Sequence, residues 1–231
     1  MKERPILFSA PMVLALLDGT KTQTRRTAPI AELNIKPHTD RLLTWVVTFT
    51  KSIKGVLGSY SGGSFSDLQA RSIIASQFNP YGKPGDQLWV RETWAQVGTM
   101  DPGLTVYRAD YPACVPASYS NIQPAESIKW KPSIFMPRAA SRITLEVTGV
   151  RVERLQDISE ADAIAEGIES LSYGGITTWR NYSLTDKLAS VSPMLESPID
   201  SYRTLWECIN GPGSWDANPW VWVVEFKRVK P

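Results

Sequence analysis

The sequence predicts an α+β fold, a small β-barrel with short helices at its periphery. Three observations carry that expectation. Runs rich in β-branched and aromatic residues recur between turn signals, as strands do. The helical stretches are few and short, with legible caps. Internal repeats, heptad runs and low-complexity tracts are absent from the chain. At 231 residues, 42% hydrophobic and 21% charged, the chain is long enough and apolar enough to bury a real core. It is read as one domain over residues 1–231, with an insertion at about 30–80 and an irregular polar segment at about 170–200.

The elements follow in order. "RPILFS" is a short strand. A helix from about Pro11 to Asp18 comes next, with proline in its first turn and Gly19 as its C-terminal cap. "TKTQTRR" is threonine-rich and reads as extended. Within the insertion, "LLTWVVTFT" (Leu42 to Thr50) is a strand, "GSYSGGSFS" a flexible loop and "DLQARSIIASQF" a short helix. Pro84, Gly85 and Asp86 turn the chain into "QLWVRETWA", read as one strand, and "LTVYRAD" is another. "WKPSIFMPR" is a proline-fixed loop that leads into a long alternating strand. Ile143, Leu145, Val147 and Gly149 fall on one face of that strand, and Thr144, Glu146 and Thr148 on the other. "DISEADAIAEGI" is a helix capped by Asp157 or Ser159, acidic in its first turn and ended by Gly167. "PIDSYRTLWECIN" is a helix stopped by "GPG", and "NPWVWVVEFKRV" is a terminal strand apolar enough to lie inside a sheet.

Composition narrows the function classes. Twenty-five basic and 23 acidic residues leave a net charge of +2, too balanced for a non-specific nucleic-acid binder, so any basic site is local. Cys114 and Cys208 have no CxxC spacing, which argues against a zinc site or a disulfide framework and for a reducing cytoplasm. His38 is the single histidine and lies in the loop-like "IKPHTD", where a solvated role is favoured over a catalytic one. No targeting segment or membrane span is legible at the N-terminus. The GxGxxG, P-loop, HExxH and GxSxG patterns are missing, so the usual routes to a nucleotide cofactor or a metal are missing too. The expectation is no cofactor and no metal.

Three stretches offer chemistry. In "GTKTQTRR", Lys21 lies near the Thr24 hydroxyl, and burial or the charges of Arg25 and Arg26 could hold it neutral as a base. Alternatively the cluster grips a phosphate or carbonyl oxygen, or is an exposed basic turn. Positions three apart on a regular strand face opposite ways, so Lys21 and Thr24 converge only if the chain turns just after Gly19. Glu166 sits at the C-terminal end of its helix, where the macrodipole disfavours a carboxylate, which hints at a partner. Glu92, flanked by Trp89 and Trp94, either faces a pocket or pairs with Arg91 or Arg108. Most of the nine tryptophans are core, and one or two at a cavity mouth could stack a base. The rigid loop presents Lys131, Ser133 and Arg138.

Taken together these pieces resemble the ASCH domain family, a PUA-like β-barrel. The residues that carry the resemblance are Gly19, Lys21, Thr24 and Arg26 after the first helix, the turn Gly85-Asp86-Gln87-Leu88, the strand and acid-bearing helix of "ITLEVTGVRVERLQDISEADAIAEGI", and the closing "VWVVEFKRV". It covers residues 5 to 28 and 80 to 229 with gaps, and the whole chain is similar to larger ASCH-like proteins of phages and prophages. What the resemblance implies is a cytoplasmic protein acting as an amidohydrolase on a modified nucleoside such as N4-acetylcytidine. Thr24 would be the nucleophile, Lys21 its base, and Glu166 an orienter or proton carrier. Arg25, Arg26, Glu92, Trp94, Lys131 and Arg138 are the candidate substrate-binding residues. The alternatives are a module that reads a modified base in single-stranded RNA without catalysis, and a non-catalytic phage accessory protein. Two departures stand out. Phage-type relatives read "PSIHMPRWASR" where this chain has Phe135 and Ala140, and the insertion at 30–80 has no counterpart in the small enzymes.

Overall fold

The computed structural model describes residues 1–38, 42–49, 60–61, 67–98, 103–119, 122–173, 175–183 and 194–229. Their fold is α+β, mainly sheet with a few short helices. A five-stranded sheet organises the chain. Its order is β1 (Glu3–Leu7), β6 (Gln87–Arg91), β9 (Thr144–Arg154), β12 (Trp220–Val229) and β2 (Gln23–Thr27). The pair β1 and β6 is parallel, and the other three pairs are antiparallel. Among the described residues no ladder joins β1 to β2. Helix α1 (Ala10–Leu17) links those two edge strands, and an Arg26 guanidinium nitrogen donates to the Leu7 carbonyl across them at 2.5 Å.

The terminal strand shows why its sequence is an almost unbroken apolar run. Trp220, Trp222, Val224 and Phe226 point to one core, with Leu88, Leu145 and Val147 and with Val13 and Leu16 of α1. Val221 and Val223 point to a second core, with Leu155, Ile158, Tyr202 and Trp206. A strand covered on both faces has no polar side to alternate with.

In β9 the alternation changes phase. Ile143, Leu145 and Val147 are buried as the pattern predicts, but Glu225 pairs with Gly149 and Phe226 with Val147, which leaves Thr148 as the bulged residue. Beyond the bulge Val150 and Val152 pack on the first core. Gly149 instead lies against Glu225, where a Cβ would come within 2.5 Å of Oε2.

Helix α2 spans Asp67–Phe78. Helix α3 spans Glu160–Ala165 and is capped by Ser159, whose hydroxyl accepts from the Asp162 amide at 3.1 Å; of the two caps proposed, serine is the one used. Helix α4 spans Pro198–Asn210 and stops at Gly211, at φ 95°. Ser159→Ala is expected to cost about 1 kcal/mol in a urea unfolding curve, the usual worth of an N-cap.

Four expectations about elements need correction. "QLWVRETWA" is two strands, β6 and β7 (Trp94–Val97), because Glu92 is drawn into a buried ion pair between them. Strand β7 pairs instead with β8 (Leu104–Tyr107) in a small sheet of its own. The region before residue 80 holds a further strand, β3 (Ile30–His38), paired with β4 (Leu42–Phe49), and β4 pairs with the short β5 (Tyr60–Ser61). His38 is thus the last residue of a strand, opposite Leu42. The glycine-serine loop lies otherwise outside the described residues. Within 170–200 there is a hairpin, β10 (Ser170–Tyr173) with β11 (Ile176–Trp179). Its strands are four residues long and its Leu171 and Ile176 are exposed, so the alternation of Leu171 and Tyr173 is too short to stand out in a polar stretch.

No helix among the described residues is long and apolar enough to cross a membrane.

Candidate functional site

The chain does turn after Gly19. That residue is at φ 78°, and the amides of Thr20 and Lys21 both donate to the Ala15 carbonyl at 3.0 Å. Pairing as a regular strand starts only at Gln23, opposite Glu225. The three residues around the turn cap the far helix. Thr22 N–H donates to the Ala165 carbonyl at 2.9 Å, Lys21 Nζ to the Glu166 carbonyl at 2.7 Å, and Gln23 Nε2 to the Asp162 carbonyl at 2.8 Å. The Ala165 and Glu166 carbonyls at the end of α3 are thus satisfied from this segment, while the Asp162 carbonyl also accepts from the Glu166 amide at 3.0 Å.

Gly167 makes the close approach possible. It has φ 82°, and a Cβ there would fall 2.8 Å from the Cβ of Lys21 and 2.9 Å from that of Ala15. Its role as helix terminator is legible in the sequence. Its role as the point of contact with Lys21 is not.

Lys21 and Glu166 meet in the interior. Nζ donates to Oε2 at 3.0 Å, and the two side chains are 0% and 2% exposed. The other carboxylate oxygen, Oε1, accepts from Arg25 at 3.2 Å. Arg25 also donates to Glu153 at 2.5 Å and to Asp162 at 3.1 Å, while Arg151 bonds Glu153, Asp162 and Glu225. Burial pushes the Lys21 ammonium below the ordinary lysine pKa. Glu166 works against that shift, and the charges of Arg26 and Arg25 add to it. Burial likewise pushes the Tyr202 phenol well up.

A cavity of about 330 Å³ opens beside the pair. Its walls come from the end of β1 and the start of α1, from Thr24 to Thr27 on β2, from Glu166, and from one face of α4, with Thr93 and Ser133 at the edge. Thr24 is buried, and its hydroxyl makes no hydrogen bond to Lys21 or to any other described residue. Lys21 is not part of the wall and is held behind Glu166. The structure therefore joins Lys21 to Glu166 directly, and brings Thr24, Arg25 and Arg26 to the same cavity as Glu166.

Four candidate binding residues stand elsewhere. Glu92 is 2% exposed and clasped by Arg142, with both its oxygens accepting at 3.0 Å; Arg91 and Arg108 are not its partners. Arg142 also bonds both oxygens of Asp110 and lies 3.9 Å from the Tyr107 ring centre. Burial raises the Glu92 pKa, opposed by that guanidinium. Trp94 is buried under the Lys131 ammonium, 4.6 Å from its ring centre, and Lys131 itself is exposed. Arg138 forms an exposed ion pair with Glu3 at 2.9 Å. Of the rigid loop only Ser133 reaches the cavity, and Phe135 is exposed.

Sequence reasoning missed the α4 wall. Tyr202, Leu205, Trp206 and Ile209 all line the cavity, at the i, i+3, i+4, i+7 spacing of a single helical face, which was there to be seen. Arg142, Glu153 and Asp162 carry no comparable spacing signal. Among the described residues no three His, Cys, Asp or Glu side chains cluster in a way that would hold a metal ion.

Comparison with known protein families, with curated proteins and with solved structures finds no match to this chain.

Proposed function

We propose that the protein is an amidohydrolase of the ASCH type, built on a PUA-like barrel, that removes the acyl group from a modified nucleoside such as N4-acetylcytidine. The observation that carries this reading is the buried Lys21–Glu166 contact beside a cavity that also holds an unbonded threonine hydroxyl. A glutamate at a cavity wall with a buried lysine directly behind it is the kind of buried charged pair that functional sites use. The near approach of β1 and β2 through Arg26 and Leu7 is compatible with a barrel-like closure.

In this mechanism Thr24 Oγ attacks the acyl carbon and its proton passes to the neutral Lys21 amine, which requires Lys21, held behind Glu166 in the free protein, to come within reach of Thr24 when substrate binds. The C–N bond then breaks, and the departing amine takes that proton from the Lys21 ammonium. Water hydrolyses the acyl-threonine ester, releasing acetate and restoring the hydroxyl. Glu166 holds Lys21 in place through Oε2 and accepts from Arg25 through Oε1.

The direct test is release of acetate and cytidine from N4-acetylcytidine by the wild type and by Lys21→Ala. Turnover by the wild type and its loss in the variant are expected; no turnover, or an unchanged rate in the variant, rejects the reading. The pH profile adds a second check. Lys21 must be neutral to act as base, and its pKa is lowered in the folded chain. The rate is therefore expected to rise with pH through an apparent pKa below about 10.4, the ordinary lysine value. A rate that is flat from pH 6 to 10 contradicts a lysine base.

A further inference from the structure

We infer that the ligand of this cavity carries an acidic group, a phosphate monoester or a carboxylate, and that Arg26 binds it. The inference rests on the cavity being the ligand site of the proposed function, and it adds a charge to that ligand.

It starts from the cations around Glu166. Lys21 has Glu166 as its partner, and Arg25 has Glu166, Glu153 and Asp162. Arg26 forms no ion pair with any carboxylate among the described residues, although it lines the same cavity. It is nevertheless held firmly. One terminal nitrogen donates to the Leu7 carbonyl, and the guanidinium carbon lies 5.2 Å from the centre of the Phe8 ring. Those two contacts fix the guanidinium and leave its Nε without a hydrogen-bond partner. The second terminal nitrogen makes no hydrogen bond to a described residue either. A half-buried arginine fixed by a carbonyl and a ring, with no carboxylate of its own among the described residues, is a ready partner for an oxyanion.

The wall around it suits an oxyanion. Glu166 is the only carboxylate among the described lining residues, and Lys21 and Arg25 occupy both of its oxygens. Arg25 is matched by Glu166, Glu153 and Asp162, so Arg26 is the lining cation that has no carboxylate contact among the described residues. The hydroxyls of Ser9, Thr27, Thr93 and Ser133 line the cavity, and none of them makes a side-chain hydrogen bond to a described residue. Ser9 is the N-cap of α1, yet its hydroxyl caps nothing. The uncommitted terminal nitrogen of Arg26, with free hydroxyls nearby, matches the acceptor-only chemistry of phosphate and carboxylate oxygens.

Calorimetric titration with cytidine, cytidine 5′-monophosphate, inorganic phosphate and acetate at low salt tests this. For the wild type, the monophosphate is expected to bind about tenfold or more tightly than cytidine, roughly one charge-assisted contact, with the gap shrinking as salt rises. In Arg26→Gln the gap is expected to close to within about twofold, and Arg26→Lys to restore part of it. Inorganic phosphate and acetate, titrated alone, show which oxyanion Arg26 prefers. Equal binding of cytidine and its monophosphate by the wild type, or a gap that survives in Arg26→Gln, overturns the inference whatever the enzyme does. Phosphate binding that Arg26→Gln removes, with no binding of cytidine, supports the anion site and overturns the nucleoside reading instead. No binding by any of the four overturns both.

Discussion

Replacing Thr24 with valine is expected to stop acetate release from N4-acetylcytidine, lowering kcat/KM on the order of 10³-fold or more, as loss of an attacking group does. The substitution is sharp because valine nearly keeps the shape of threonine and deletes only the hydroxyl. Thr24 is 1% exposed, and its hydroxyl makes no hydrogen bond to a described residue, so no buried partner among them is orphaned. Stability should therefore change by less than about 1 kcal/mol. Thr24→Ser keeps a hydroxyl in place and is expected to retain turnover within about tenfold. Steady-state kinetics beside urea unfolding of the same samples separates loss of chemistry from loss of fold. Full activity in the valine variant removes Thr24 from the mechanism and leaves Lys21 and Glu166 to act on water or to serve as structure alone.

The second large effect is on stability. Glu166→Gln is expected to destabilise the protein by about 3–5 kcal/mol at pH 7, as removing one partner of a buried ion pair does. Arg25 keeps Glu153 and Asp162, but Lys21 loses its carboxylate and keeps only neutral acceptors, the backbone carbonyl and amide oxygen of residue 166, and the face of Phe8. An unpaired buried ammonium has one escape, which is to fold neutral. Its folded pKa then lies far below the unfolded value of about 10.4, and the unfolded chain binds a proton that the folded chain lacks. Stability of the variant should accordingly rise with pH between those two values, so the penalty at pH 9.5 is expected to be smaller than at pH 7. Urea midpoints at both pH values measure this. The double variant Lys21→Met/Glu166→Leu removes both charges together and is expected to be more stable than Glu166→Gln. A cost below about 1 kcal/mol that does not change with pH would show that the pair is not buried as described.

Much of this is legible in the residues, and the limits are physical. Helices α2 and α4 fall where their sequence patterns place them, because each has a clear boundary in a proline, serine or glycine. Strand β12 is legible as an internal strand because both of its faces need apolar residues. The break at Glu92 is hidden because its cause, Arg142, lies 50 residues away. The phase change in β9 is hidden because the bulge depends on pairing with β12 and leaves no mark in β9 itself. At the site, Lys21, Thr24 and Glu166 are marked by a glycine-led segment and by an acid where a helix dipole disfavours one. Lys131 and Arg138 are marked only by the stiffness of their loop, and stiffness does not tell which way a loop faces.

The capping of α3 by Lys21, Thr22 and Gln23 has a consequence for how the site comes into being. A helix of six residues cannot persist alone, since nucleating so short a helix costs more than its few bonds return. Its C-terminal carbonyls are met by a segment that lies 145 residues earlier in the chain at Lys21. The helix and the Lys21–Glu166 contact are therefore expected to form together, in one long-range closure. Amide hydrogens of α3 should exchange together with those of β2, and a chain that has lost the docking of β2 loses the site as a unit even where the rest of the sheet persists.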